Sequence, residues 1–338
     1  MSRRVFVPVC SAITLTMLLL VPAALAIQPP HSEDGPGHDL SVFQKQRPGG
    51  AIGITTRNSS SLNEGHALRV GWEAFANEHE GNWAIRLDNR SGLPALASGK
   101  GIPWIPGAGN DLTGPAPTMD RLEFMARRFL ANRPELFGSW DGQLVLDREA
   151  SVRRGENVWQ VAFRQEVGGV PVDGSRFTFH ISNGNLVAFG ASGWGPVVAD
   201  SVPSIDAGQA RANLDAWLGI GGPHPYVDLE PPVLQLVAVD PSGGTGAAWT
   251  GDMSAGYGHV LVYRFTFADP AYDPIWVGEV DAHTGEVFAF FNDTRYDRIR
   301  GWISPFSDDG DCPQGGCLTD GYPMPFADYS INGGADLT

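Results

Sequence analysis

Phe177-Thr178-Phe179-His180-Ile181-Ser182-Asn183-Gly184-Asn185-Leu186-Val187-Ala188-Phe189 is the stretch that decides the fold class. Phe177, Phe179 and Ile181 alternate with Thr178, His180 and Ser182, the period-two pattern of a strand with one apolar face. Asn183-Gly184 is the dipeptide that tolerates the left-handed backbone of a two-residue hairpin, and Leu186 to Phe189 returns. A sheet that is apolar on one face and polar on the other is antiparallel and covered on one side. Upstream, Trp159, Val161 and Phe163 alternate with Gln160, Ala162 and Arg164, and Gly168-Gly169 turns the chain toward the hairpin.

Ahead of these strands the spacing predicts a helix from Asp120 to Leu130. Leu122, Met125, Phe129 and Leu130 share one face, with Arg127 and Arg128 on the other. Asp120 with Glu123 has the form of a capping box, and Pro134 and Gly138 end the region. Order begins near Leu68, through Trp72, Phe75, Trp83 and Ile85. The pattern resets between Pro196 and Pro203. A second helix follows over Ala207 to Leu218, with Gly219 placed as its C-terminal cap. Strands are predicted at Val233 to Val239, Val260 to Phe267, Ile275 to Val280 and Glu286 to Phe291. A helix followed by antiparallel strands thus occurs twice. The expected fold is α+β, with two units that each lay a helix on one sheet face.

Acidic residues outnumber basic ones, 38 to 23, for a net charge of -15. That sign repels phosphates, so nucleic acid and anionic membranes are excluded as partners. Arg3 and Arg4, an apolar run from Val5 to Val21, and Ala24-Leu25-Ala26 form a signal peptide with cleavage expected after Ala26. The apolar run is interrupted by Cys10, Ser11, Thr14 and Thr16, which argues against a membrane anchor. The expected location is extracellular. Cys10 leaves with the signal. Cys312 and Cys317, close in sequence and in an oxidising compartment, are expected to pair as a disulfide rather than to form half of a zinc site. Residues 27–65 are rich in Pro, Gly and Ser and are expected to be a flexible linker.

Val158 to Gly190 resembles the fungalysin/thermolysin propeptide motif. The resemblance is carried by Val161-Ala162-Phe163-Arg164-Gln165, by Gly169-Val170-Pro171-Val172-Asp173-Gly174-Ser175 and by Asn183-Gly184-Asn185-Leu186. The preceding helix and Leu136-Phe137-Gly138 fit the same pattern. Ser204 to Asn292 resembles a PepSY domain, marked by Trp276-Val277-Gly278-Glu279-Val280-Asp281-Ala282-His283-Thr284-Gly285-Glu286-Val287. These resemblances imply a propeptide domain at residues 66–198 and a PepSY-like one at residues 201–292, both cystatin-like. They imply the prosegment of a secreted zinc metalloendopeptidase, acting as intramolecular chaperone and inhibitor. Its partner would be the cognate catalytic domain, in cis, and zinc, with calcium as a second candidate, would belong to that domain. A free-standing secreted inhibitor or binding module is the alternative, and a cell-surface scaffold a third.

Within residues 1–338 no catalytic, cofactor-binding or metal-ligating residue is expected. A thermolysin-like site needs two histidines one helical turn apart with a glutamate between them. Of His31, His38, His66, His79, His180, His224, His259 and His283, none lies four residues from another. His79-Glu80-Gly81-Asn82-Trp83 puts a tryptophan where the second ligand belongs. The Thr284-Gly285 turn separates His283 from Glu286, and Asp308-Asp309-Gly310-Asp311 lacks the spacing of a calcium loop. The polar stretch Asn292 to Gly301 is the expected processing junction, with Arg295, Arg298 and Arg300 as its basic residues. Residues 293–338 are expected to hold this junction and the start of a following, truncated domain.

Overall fold

Trp72 and Phe75 are both fully buried, and their three-residue spacing seats them on one face of a helix, α1 (Ala67–Glu78). The computed structural model describes residues 40–48, 52–80, 82–115, 117–138, 140, 143–243, 249–269 and 274–294, with the backbone of two short strands beyond. Helix α1 is absent from the sequence expectation because Gly71 breaks its pattern. That glycine has a packing reason: a Cβ there would meet Leu136 Cδ2 at 2.7 Å. Two more helices, α2 (Met119–Ala131) and α3 (Pro134–Phe137), join α1 on the first sheet, where one helix was expected.

That sheet contains β1 (Thr56–Asn58), β2 (Trp83–Asp88), β3 (Pro94–Pro103), β4 (Leu144–Leu146), β5 (Val152–Arg154), β6 (Val158–Val167), β7 (Val170–Pro171), β8 (Arg176–Ser182) and β9 (Asn185–Ser192). The order is β1-β2-β3-β9-β8-β6-β4, with β5 and β7 also paired to β6. The β8–β9 hairpin turns as its sequence requires: Asn183 and Gly184 have φ of 49° and 88°, and Ser182 pairs with Asn185. Phe177, Phe179 and Ile181 are fully buried. Phe189 takes Phe75, Phe129 and Phe137 edge-on at 5.9, 5.2 and 5.7 Å between ring centres, so aromatic packing joins helices to sheet. The α2 cap is Thr118, whose hydroxyl accepts from the Arg121 N–H at 3.3 Å. Asp120 lies inside the first turn, and Glu123 pairs with Arg127 instead of closing a capping box.

The second sheet follows α4 (Ala207–Trp217) and contains β10 (Val227–Asp228), β11 (Val233–Val239), β12 (Gly258–Ala268), β13 (Ile275–Asp281) and β14 (Val287–Asn292). The path is β10-β12-β13-β14, with β11 also on β12, all antiparallel. Asp206 caps α4 by accepting from the Gln209 N–H at 2.7 Å, and Gly219 ends it with φ 75°. Leu214 sits so close over β13 that a Cβ on Gly278 would meet its Cδ2 at 2.5 Å. The fold is α+β. Beyond it, β15 (Trp302–Ile303) pairs antiparallel with β16 (Cys317–Leu318).

Two expectations change. The second sheet is not apolar on one face alone, because Val237, Val262 and Ala289 are fully buried on the face away from Leu236, Leu261 and Phe265. Val260-Leu261-Val262-Tyr263 is a continuous apolar run, the signature of a strand covered on both faces. The stretch expected to be linker is also built into the fold where it is described. Leu40 is buried in the second core, and Lys45 forms a β-bridge with Phe290. Its Pro and Gly content conceals three anchoring side chains, Leu40, Phe43 and Arg47.

His259, on β12, has both ring nitrogens buried with no hydrogen-bond partner among the described residues, and burial pushes its pKa from 6.5 down to about 4. Between those values the unfolded chain binds a proton that the folded chain refuses. Stability therefore falls as pH drops through that window, by about 3 kcal/mol in total. Denaturation measured at intervals from pH 7 to 4 should show this limb in the native chain and a flatter one in His259→Phe. Parallel profiles would assign the limb to another group.

Candidate functional site

Gln165 lies fully buried on β6, and its backbone and side chain together tie down the excursion that follows. Its N–H donates to Ser175 Oγ at 3.0 Å, and its carbonyl accepts from the Val172 N–H at 2.9 Å. Ser175 Oγ in turn donates to the Val172 carbonyl at 2.8 Å. The Gln165 amide nitrogen donates to Gln143 Oε1 and to the Gly195 carbonyl, both at 2.8 Å. Gly168, Gly169 and Gly174 supply the left-handed backbone of this loop, at φ 60°, 82° and 68°.

The loop pairs its backbone with β6 through β7, but it sends its side chains into the other core. Val170 and Val172 are buried in the core of the second sheet, beside Leu236 and α4 residues. Val172 forms a parallel bridge with Leu236, and the Asp173 N–H donates to the Leu236 carbonyl at 2.8 Å. The Gln165–Ser175 network is therefore a splice. It holds a segment of the first sheet's chain inside the second sheet's core.

Two ionic clusters flank the splice. Arg47 bonds Glu279 through Nε at 2.8 Å and Nη2 at 2.5 Å, and Asp173 through Nη2 at 2.8 Å. Glu279 is fully buried, and Phe291 lies under the guanidinium at 5.9 Å. Burial alone lowers the Arg47 pKa, but the bonds and charge of Glu279, then Asp173, outweigh it and hold the group protonated. On the other side, Arg90 in the β2–β3 turn is fully buried. It donates to the Gly256 carbonyl at 2.9 Å and to Asp240 Oδ2 at 3.1 Å, with Trp249 at 5.5 Å. Tyr257 donates to Asp88 Oδ2 at 2.8 Å, and burial, then Asp88, raises its pKa. The Ser242 hydroxyl bond, working against burial and with Arg90, holds the Asp240 carboxyl below its usual range. Gly256 permits this approach, since a Cβ there would meet Arg90 Cβ at 2.5 Å.

Beside this junction lies a groove of about 630 Å³, lined by Leu93, Leu136, Trp140, Val197, Glu135 and Asp252 among others. Among the described residues no three His, Cys, Asp or Glu side chains converge to hold a metal. The charged groups at the junction are held by one another. The arrangement is suited to positioning surfaces against one another.

The other residues singled out in the sequence fall elsewhere. Ala26, Arg295, Arg298, Arg300, Cys312 and Asp308 to Asp311 lie outside the described residues. Cys317 opens β16. His79 is the C-terminal cap residue of α1, Glu80 follows with φ 63°, and Trp83 begins β2. His283 Nδ1 lies 3.2 Å from Ser204 Oγ, in the turn capped by Asp281. No helix among the described residues is long and apolar enough to cross a membrane. Sequence reasoning missed Arg47, Arg90 and Asp240. Their local contexts are those of ordinary turns, and only partners distant in sequence set them apart.

Residues 160–192 match the family described as the fungalysin/thermolysin propeptide motif. No curated protein matches the chain. Among solved structures, the C-terminal domain of YpeB from Bacillus megaterium is similar at 14% identity and a TM-score of 0.28, over 63% of this chain and 77% of that one. The motif match begins at Gln160 on β6 and ends at Ser192 on β9, so it contains Gln165, the loop and Ser175, while Gln143 and Gly195, which accept from the Gln165 amide, lie outside it.

Ser175→Ala removes the acceptor for one buried group and the donor for another. Its expected cost is about 1–3 kcal/mol, the scale of stranding buried polar groups. Urea midpoints of the two chains measure it, and a change within a few tenths of a kcal/mol would mean the splice does not depend on this hydroxyl.

Proposed function

We propose that this chain carries the prosegment of a secreted zinc metalloendopeptidase, acting as a folding template and inhibitor of that enzyme. The observation that supports it is the propeptide motif at residues 160–192, lying on the strands and loop that join the two sheets. In this reading residues 66–198 form the propeptide-motif unit and residues 201–292 a PepSY-like unit. Export follows cleavage after Ala26, and removal of the prosegment occurs at the junction containing Arg295, Arg298 and Arg300. Zinc, and calcium where the enzyme uses it, belongs to the catalytic domain.

The physical logic is kinetic. A protease that outlasts its own activity is protected by a high barrier to unfolding, and where that barrier comes from a transition state high in energy, folding is slow as well. A preformed surface that binds the native-like transition state lowers that barrier. The same surface, still bound after folding, excludes substrate. A template of this kind has to present its two halves in one fixed relation, and the spliced, doubly clamped junction supplies that relation.

Two measurements test the reading. The coding sequence continuing past Thr338 should encode His-Glu-x-x-His on a predicted helix, followed by a further glutamate. The chain from residue 27 onward should inhibit peptide hydrolysis by a thermolysin-like protease and speed recovery of its activity after denaturation. A chain that neither inhibits nor assists any such protease would overturn the proposal.

A further inference from the structure

The described part of the N-terminal stretch, residues 40–48, is held to the second sheet by a buried leucine, an aromatic contact, one backbone pair and an ionic cluster. Leu40 is buried in the second core, and the Phe43 ring lies 5.5 Å from Trp217 of α4. The Lys45 N–H donates to the Phe290 carbonyl and the Phe290 N–H to the Lys45 carbonyl, both at 2.8 Å. Lys45 Nζ reaches the Val287 carbonyl. Arg47 ends the stretch on Glu279 and Asp173. Between these anchors the chain lies outside: Val42 is 75% exposed, and Ser41, Gln44 and Gln46 are exposed as well.

β14 is the last strand on its path, so its outer edge would otherwise present unpaired backbone groups. Lys45 covers that edge at Phe290. An edge covered by one backbone pair, with an arginine two residues on bonded to Glu279 and Asp173, has the construction of a strand-addition site occupied by the chain's own segment. Its recognition elements are two carboxylates, Glu279 and Asp173, placed to receive a cation two residues beyond the strand pair. Glu279 is fully buried, so whatever occupies the edge must bring a positive charge or leave a carboxylate stranded.

We propose that residues 40–48 are a releasable strap, and that the site beneath it accepts an extended basic segment of a partner chain in the strap's place. The occupant fits by pairing its backbone with Phe290 and by placing an arginine between Glu279 and Asp173. The inference goes beyond the protease reading and is tested without any protease.

Amide exchange in the full chain reads strap release directly. In Arg47→Ala, the Phe290 amide should exchange about a hundredfold faster or more, the scale set by stranding a buried carboxylate. The Phe179 and Phe189 amides in the first sheet should keep their protection. A labelled peptide of residues 40–48 should then bind the Arg47→Ala chain saturably, and the same peptide with alanine for its arginine at least about tenfold more weakly. The native chain, with its strap in place, should bind neither. Lys45→Pro, which removes the donor to Phe290 and leaves the ionic cluster intact, should also speed exchange at Phe290. This second variant carries the test if Arg47→Ala fails to fold. Unchanged protection at Phe290, loss of protection in both sheets together, equal binding of the two peptides, or failure of both variants to fold would each overturn the proposal.

Discussion

Val170 and Val172 are the constraint on which the arrangement rests. They follow β6 directly and precede β8, yet their side chains are buried under α4 with Leu236. A chain cannot leave one core, fill another and return within a few residues unless its backbone bonds are met on the way. Gln165 and Ser175 meet them, and the positive-φ glycines supply the bends. Because the excursion starts and ends in the first sheet, the second sheet's position is set by it. The Arg90–Asp240 pair then fixes the same relation from another direction, through a turn of the first sheet and the loop after β11.

Two arginines of an acidic protein are used inside this junction. Arg90 is fully buried, and Arg47 has about a quarter of its side chain exposed. Buried ion pairs add little net stability, since desolvation offsets their attraction, but removing one partner is costly. Their effect is therefore on specificity of arrangement: a slipped or rotated packing of the sheets would strand a charge. A second consequence concerns the exterior. The carboxylate partners of these arginines, Glu279 and Asp240, are buried as well, so the two pairs cancel and the net charge of -15 is carried by the rest of the chain. That favours a basic partner surface and raises the rate of encounter with it.

Legibility in the sequence followed the locality of the cause. The β8–β9 hairpin is written in adjacent residues, since Asn183-Gly184 sets both the turn and the register. Helix α4 is equally local, from the Asp206 cap to Gly219. Helix α1 was hidden because Gly71 is explained only by Leu136, sixty-five positions on. Residues 40–48 read as linker because Lys45 and Arg47 acquire meaning only from Phe290 and Glu279. Arg90 in Asp88-Asn89-Arg90-Ser91-Gly92 looks like any turn arginine until Asp240 and Gly256 close over it. The residues that carry the resemblance were visible as a motif, but their work as a splice between sheets was not, because the second sheet does not appear in the motif.

The stability of this fold is uneven in a way that suits the proposed role. The first sheet carries a continuous aromatic core from Trp72 through Phe189 and will open only with the whole. The edge of β14 is guarded by a short segment held by Leu40, Phe43 and Arg47, of which only the last carries a charge. A template must keep its shape against an unfolded client and later give way to removal. Uniform rigidity serves the first need and defeats the second. A rigid body with a local, charge-gated edge meets both, because the free energy that opens the edge is separate from the free energy that holds the sheets together.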